Sequence, residues 1–212
     1  MEAAAAAWAD ALTVGVLECD RLAGAEVAGS SAGCGALFCV VARSGVYVAS
    51  VGLGRAVIGT EEDGGKTLWC DEASSPHCAA SEAEVARLED AASAGIIAPS
   101  AGTHLGTPTR FLGGAAMKRI DARIVAIPDV VRHEHSASRR FVLLGSPGIW
   151  GRGPRLPLQR AVEAYREGRS PADALIEQSE GDAVALVLVL PAGLGEGDRL
   201  PPHSELTQSP RD

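Results

Sequence analysis

The run Gly29-Ser-Ser-Ala-Gly33, then Gly35–Val41, Ala42-Arg43-Ser44-Gly45 and Val46-Tyr-Val-Ala-Ser-Val-Gly52-Leu-Gly-Arg55-Ala-Val-Ile58, decides the fold. A Gly/Ser cluster breaks the chain. Two β-rich runs joined by four residues that end in Gly predict a hairpin. A third run, Arg55–Ile58, follows Gly52-Leu53-Gly54, where the two glycines predict a tight turn from strand to strand.

Upstream, Ala-rich Glu2–Leu22 predicts a helix, with Trp8, Leu12, Val16 and Cys19 recurring at steps of three and four. Downstream, Glu61–Ser81 is polar and irregular. Ser81 with Glu84 reads as a capping box opening a helix to Ala94, its face made by Val85, Leu88 and Ala92 and its end by Gly95. Ile124–Ile127 and Arg140–Leu144 read as short strands. Leu158–Glu167 is amphipathic, and Ser170-Pro171 opens a further helix to about Glu177. Ala183–Leu190 is a continuous apolar run that predicts a strand buried on both faces. These strands and helices mix without strict βαβ alternation, which predicts an α+β layered fold with largely antiparallel pairing. Residues 1–190 read as one domain, and the Gly/Pro-rich, charged 191–212 as a disordered tail.

Composition limits the function. The 212 residues are 46% hydrophobic, enough for a core of Val, Leu, Ile and Ala, since aromatics make up only 4%. A formal charge of −8 argues against a phosphate-backbone binder, so no nucleic-acid partner is expected. No apolar stretch reaches the length of a membrane span, and Met1–Leu17 lacks a basic leader region, so no membrane partner is expected either. Five scattered cysteines without a Cys-x-x-Cys pair read as reduced thiols, which points to a cytoplasmic location with the nucleus as the alternative.

The order of the motifs resembles the PP2C-type (PPM) serine/threonine phosphatases. Gly29–Gly33 and Val48–Ile58 are similar to the family's "SGSTA" and "VANVGDSRAVL". Arg110-Phe-Leu-Gly113-Gly-Ala-Ala-Met-Lys118 is similar to "RAFGDxxxK", and Val125-Ala-Ile-Pro128-Asp129-Val130 to "VxAxPDV". Phe141-Val-Leu-Leu-Gly-Ser146-Pro147-Gly148-Ile149-Trp150-Gly151 resembles "FLILASDGLWD", and Gly181-Asp182-Ala183-Val184 resembles "DNITV". Glu84 with Arg87-Leu88 matches the family's "E…RI" helix. The resemblance covers roughly residues 10–190. It implies an α-β-β-α sandwich of two antiparallel sheets flanked by helices, here without the N-terminal strands, since the chain begins near the helix after the family's "DGHGG".

The resemblance also implies a chemistry to be tested position by position. Family members hydrolyse phosphoserine and phosphothreonine with two Mg²⁺ or Mn²⁺ ions held by carboxylates, because hard cations take oxygen ligands and activate a bound water. Asp182 matches the last ligand aspartate. The other family aspartates correspond to Leu53, Gly114, Pro147 and Gly151, and Ala183 replaces the Asn beside Asp182. One carboxylate does not hold two divalent ions against water, so no metal cofactor is expected and no catalytic residue is assigned. Three functions follow in order. The first is a catalytically silent domain that binds a protein, a kinase or phosphoprotein. The second is a weakly active Mg/Mn-dependent phosphatase working through Asp182. The third is a serine hydrolase using Ser31.

The remaining signals have structural explanations. Gly29-x-Ser31-x-Gly33 fits a nucleophile elbow in letters, but a helix precedes it and a strand follows, the reverse of what the elbow needs. His133-Glu134-His135 reads as part of a solvated loop over Arg132–Arg140, and His77 as unremarkable. Arg152, Arg155 and Arg160 form a basic cluster able to meet a phosphate, or simply a solvated approach to a helix.

Overall fold

The computed structural model describes residues 2–26, 29–93, 107–179 and 183–191. In chain order the elements are α1 (Glu2–Glu26), β1 (Gly33–Cys34), β2 (Ala36–Ala42), β3 (Gly45–Val51), β4 (Arg55–Glu62) and β5 (Thr67–Glu72). They continue with α2 (Glu82–Ser93), β6 (Leu112–Gly113), α3 (Ala115–Ile120), β7 (Asp129–His133), β8 (Arg139–Gly145), α4 (Arg155–Arg166), α5 (Pro171–Ile176) and β9 (Ala185–Val189).

Two antiparallel sheets are stacked, one in the order β2-β3-β7 and one in the order β5-β4-β8-β9, and β1 pairs with β6 beside them. The side-chain alternation of a strand explains the layering. Val46 and Val48 of β3 face Ala56 and Ile58 of β4 and Val142 and Leu144 of β8, forming the core between the sheets. The odd-numbered residues point outward. Val51 packs with Val16 of α1, and Tyr47 lies against Trp8 with ring centroids 6.3 Å apart. On the far side Val57, Phe141 and Leu143 meet Leu158, Ala161 and Val162 of α4 and Leu175 of α5. The result is an α-β-β-α sandwich, the layering that the motif order implies.

The predicted hairpin forms between β2 and β3 in continuous register from Ala36↔Val51 to Ala42↔Gly45. The next connection, Gly52-Leu53-Gly54, carries the chain from one sheet into the other. Gly52 has φ +95, and a Cβ on it would lie 2.8 Å from the Gly35 Cα, so both the conformation and the close approach require glycine. Ser170 caps α5 as predicted, its side chain accepting from the Asp173 N–H.

Several expectations are corrected, most of them at sheet edges. The polar stretch after Glu61 contains β5, whose outer side faces solvent, so its sequence lacks an apolar run. Ile124–Ile127 is not a strand. Val125 makes one isolated bridge to Arg110, and pairing with β3 begins only after Pro128, which has no N–H to donate. His133 belongs to β7 opposite Val46 rather than to a solvated loop, and His135 Nε2 lies 2.6 Å from the Ala42 carbonyl. The run Ala183–Leu190 is not buried on both faces. β9 is an edge strand, with Leu186 51% exposed. Gly95, Ala94, Asp182 and the tail from residue 192 lie outside the described residues.

Leu158, fully buried, inserts between α4 and the sheet, where even a Cβ on Gly59 would come within 2.9 Å of it. Leu158→Ala is expected to cost about 2–5 kcal/mol, read as a lower urea midpoint with an unchanged slope.

Candidate functional site

The site is built at the end of the sandwich where the interior strands turn. The start of β2, the Gly52–Gly54 turn, the end of β8 and the approach to β9 enclose a cleft of ≈ 580 Å³. Its walls include Leu37, Leu53, Pro108, Leu144, Pro147 and Leu186. No described residue lining the cleft carries a charge. Its one polar side chain is already engaged, since Ser146 Oγ accepts from the Val184 N–H at 2.9 Å.

Behind the turn lies a buried ionic chain that local sequence did not reveal. Glu84 is 1% exposed, and instead of capping α2 it takes the Arg110 guanidinium at 2.5 and 2.9 Å, the Thr109 hydroxyl at 2.5 Å and the Arg87 guanidinium at 2.8 Å. The face of α2 that meets the protein is therefore marked by a carboxylate, while Val85 is exposed. Arg110 Nη1 donates to Asp129 Oδ1 at 2.8 Å and to the Ile127 carbonyl at 2.9 Å.

Asp129 Oδ2 lies 2.9 Å from His77 Nε2, and His77 Nδ1 accepts the Gly52 N–H at 3.1 Å. A backbone N–H can only donate, so Nδ1 is unprotonated and Nε2 donates to Asp129. The His77 N–H returns a bond to the Gly52 carbonyl at 2.8 Å. His77, set aside on sequence, is 2% exposed and fastens the turn that carries Leu53. The contact spans 52 positions, which is why adjacency to Cys78 gave no hint of it. A second tie joins α1 to the Arg110–Lys118 segment: Asp20 Oδ1 accepts from the Gly113 N–H at 2.8 Å and from Lys118 Nζ at 2.5 Å.

The structure brings only some of the metal-motif positions together. Leu53 and Pro147 line the cleft, and Ala183 packs toward the α4 side of the core next to Val184. Gly114 does not line the cleft but caps the start of α3, its N–H donating to the Ala32 carbonyl at 2.7 Å. Gly151 lines a different, smaller cavity. Among the described residues no three His, Cys, Asp or Glu side chains gather as a metal-binding group. An apolar wall at Leu53 and Pro147 supplies no side-chain oxygen for Mg²⁺ or Mn²⁺, so the described residues of the cleft do not fit the family's pair of ions. Ser31 sits in an exposed loop with α1 before it and β1 after it, without the strand-then-helix frame of an elbow. The five cysteines are free thiols.

The stacked-sheet α-β-β-α domain, with the Gly52–Gly54, Ser146–Pro147 and Val184 segments meeting at one cleft, is the fold that the motif order implied. A family model described as protein phosphatase 2C matches residues 9–173, and the chain belongs to that family. Its structure is similar to serine-threonine phosphatase 2C from Toxoplasma gondii, with TM-score 0.66 and 20% identity over 86% of this chain and 67% of that one. It is also similar to a C. elegans sex determining protein, with TM-score 0.55 and 21% identity over 80% of this chain and 43% of that one. A third likeness is to serine/threonine phosphatase Stp1 from Staphylococcus aureus, with TM-score 0.50 and 17% identity over 87% of this chain and 68% of that one. No curated protein matches the sequence. No described helix is long and apolar enough to cross a membrane.

Burial pushes the Glu84 pKa up, but the hydrogen bonds from Arg87, Arg110 and Thr109 outweigh it and bring the group from 4.5 to about 2. A folded pKa below the unfolded one gives stability that is complete above about pH 4.5 and lost as pH falls toward 2. Melting temperatures of wild type and Glu84→Gln measured across that window are expected to fall steeply in wild type and less steeply in the variant. Arg110→Ala strands a buried carboxylate and is expected to cost about 3–5 kcal/mol in chemical denaturation.

Restoring aspartates tests the family positions separately. At Gly114 a Cβ would lie 2.2 Å from the Phe111 ring with φ +61, whereas at Gly151 nothing lies within 4 Å. Gly114→Asp is therefore expected to lose about 1–3 kcal/mol, while Gly151→Asp stays within about 0.5 kcal/mol, both by thermal melts.

Proposed function

We propose that this chain is a pseudophosphatase: a protein phosphatase 2C fold that binds a protein partner without hydrolysing phosphate. The observation that carries the reading is the cleft at the Gly52–Gly54 turn, whose lining at Leu53, Pro147, Leu144 and Leu186 offers no carboxylate. Two hard cations would face hydrocarbon there, and a phosphate brought to the cleft would find no charge to neutralise it.

The turns and braces around the cleft support the same reading. Gly52, Arg110, Gly113, Pro128, Asp129 and Trp150, which match family positions, hold the architecture. Trp150 closes the end of β8 by donating from Nε1 to the Gly145 carbonyl at 2.9 Å. Substitution has fallen on the oxygen ligands instead, where removing clustered like charges relieves repulsion in the absence of metal. In this reading the partner is a protein, a kinase or a phosphoprotein, met in the cytoplasm, and Asp182 is a remnant rather than a working ligand.

The test is hydrolysis of a phosphothreonine peptide by the purified chain in Mn²⁺ or Mg²⁺, beside Asp182→Ala and an EDTA control. No turnover above the enzyme-free background is expected in any of the three. Metal-dependent turnover lost both in EDTA and in Asp182→Ala would overturn the reading in favour of a weak phosphatase. Turnover indifferent to EDTA would also overturn it, and its loss in Ser31→Ala would identify a serine hydrolase.

A further inference from the structure

On the helix side of the turn at Pro147–Ile149 lies a second cavity, of ≈ 220 Å³, that shares no lining residue with the cleft. Arg152, Arg160 and Gln178 line it together with Gly148 and Gly151, over a floor of Ile149, Leu156 and Pro157. We infer that this cavity binds a phosphate monoester dianion, the phosphorylated side chain of a serine or threonine.

Its electrostatics are one-sided. No ion pair or side-chain hydrogen bond among the described residues involves Arg152 or Arg160; the same holds for Arg43, Arg55, Arg119 and Arg155, but Arg152 and Arg160 share one cavity. Both arginines line the same small space, and a guanidinium offers a fork of N–H donors suited to a phosphate. α4 begins at its rim, and that helix has neither a capping side chain nor an acidic residue in its first turn. A helix N-terminus bears about half a positive charge, which natural sequences usually offset with Asp or Glu. Here arginine stands at positions 152 and 155 instead, so positive charge is added to the positive end of the helix.

The backbone contributes donors as well. Among the described residues, the N–H groups of Gly151 and Arg152 donate to no acceptor, although neighbouring turn amides at Trp150 and Gly153 are paired. Gln178 adds an amide from the far wall. Apolar side chains beneath lower the local dielectric and strengthen each of these interactions. Donors without acceptors, two unpaired arginines and an uncapped helix end all call for a compact, doubly charged oxyanion. The small volume favours a single phosphoryl group. The site requires no hydrolysis and stands whether or not the cleft is silent.

The test is an amide-resolved NMR titration of the full chain with N-acetyl-phosphothreonine amide, inorganic phosphate and N-acetyl-threonine amide. Expected are saturable shifts at the Gly148, Gly151 and Gln178 amides with the phosphothreonine probe and none with the threonine probe. Affinity is expected to fall at least tenfold in Arg152→Ala/Arg160→Ala. Neither arginine is buried, so the double variant is expected to keep the wild-type spectrum elsewhere. Binding of inorganic phosphate with none of the phosphothreonine probe would overturn the assignment to a phosphorylated residue. Shifts that never saturate, or that persist undiminished in the double variant, would overturn the site itself.

Discussion

The bond between Glu84 and Arg110 holds together segments that otherwise share little. Through Arg110 the carboxylate reaches Asp129 at the head of β7, through Asp129 it reaches His77, and through His77 it reaches the Gly52 backbone. A helix, a strand, a loop and the turn between the sheets are thus fixed by one chain of charge-assisted hydrogen bonds. Such a network suits positions that need orientation more than adhesion, because each partner accepts only one geometry. Removing Arg110 leaves the buried Glu84 carboxylate with only the Arg87 and Thr109 donors, a costly loss at a buried charge.

The cleft and the ionic chain sit back to back across the Gly52 turn and have opposite chemistry. The chain behind the turn keeps its charges paired, with Glu84, Arg110 and His77 buried, while the surface in front is hydrocarbon. Family membership therefore accounts for the scaffold here, and the side chains of the cleft decide what the scaffold does.

Much of the fold was legible because its central strands obey simple rules. β3, β4 and β8 each contain a short apolar run, Val46–Ala49, Ala56–Ile58 and Phe141–Leu144, Gly45 and the Gly52–Gly54 turn supply glycine where the strands reverse, and Ser170-Pro171 opens a helix as written. The edge strands were obscure for a physical reason. β5 and β7 face water on one side, so charge interrupts their pattern, and β9 looks like a buried strand although its second face is only partly covered. The cleft positions Leu53 and Pro147 could be found by motif order, but Gly114 and Gly151 are not among the residues that line it. Glu84 stood out only as a helix-cap candidate and a motif match, and His77 not at all, because their bonds to Arg110, Thr109, Asp129 and Gly52 come from residues 25 or more positions away.

The pairing of β3 with β7 and of β4 with β8 has a consequence for how the chain acquires its structure. Val48 opposes Val131 and Val57 opposes Leu143, so both sheets place an early strand beside a late one. Everything between must be looped out before either pairing returns any energy, a topology associated with slow folding. On a ribosome the first hairpin emerges with its apolar face uncovered and waits for β7 and β8 to be synthesised. The α1 helix, made before the hairpin and packing on the same sheet, is the local element available to shield it during the interval.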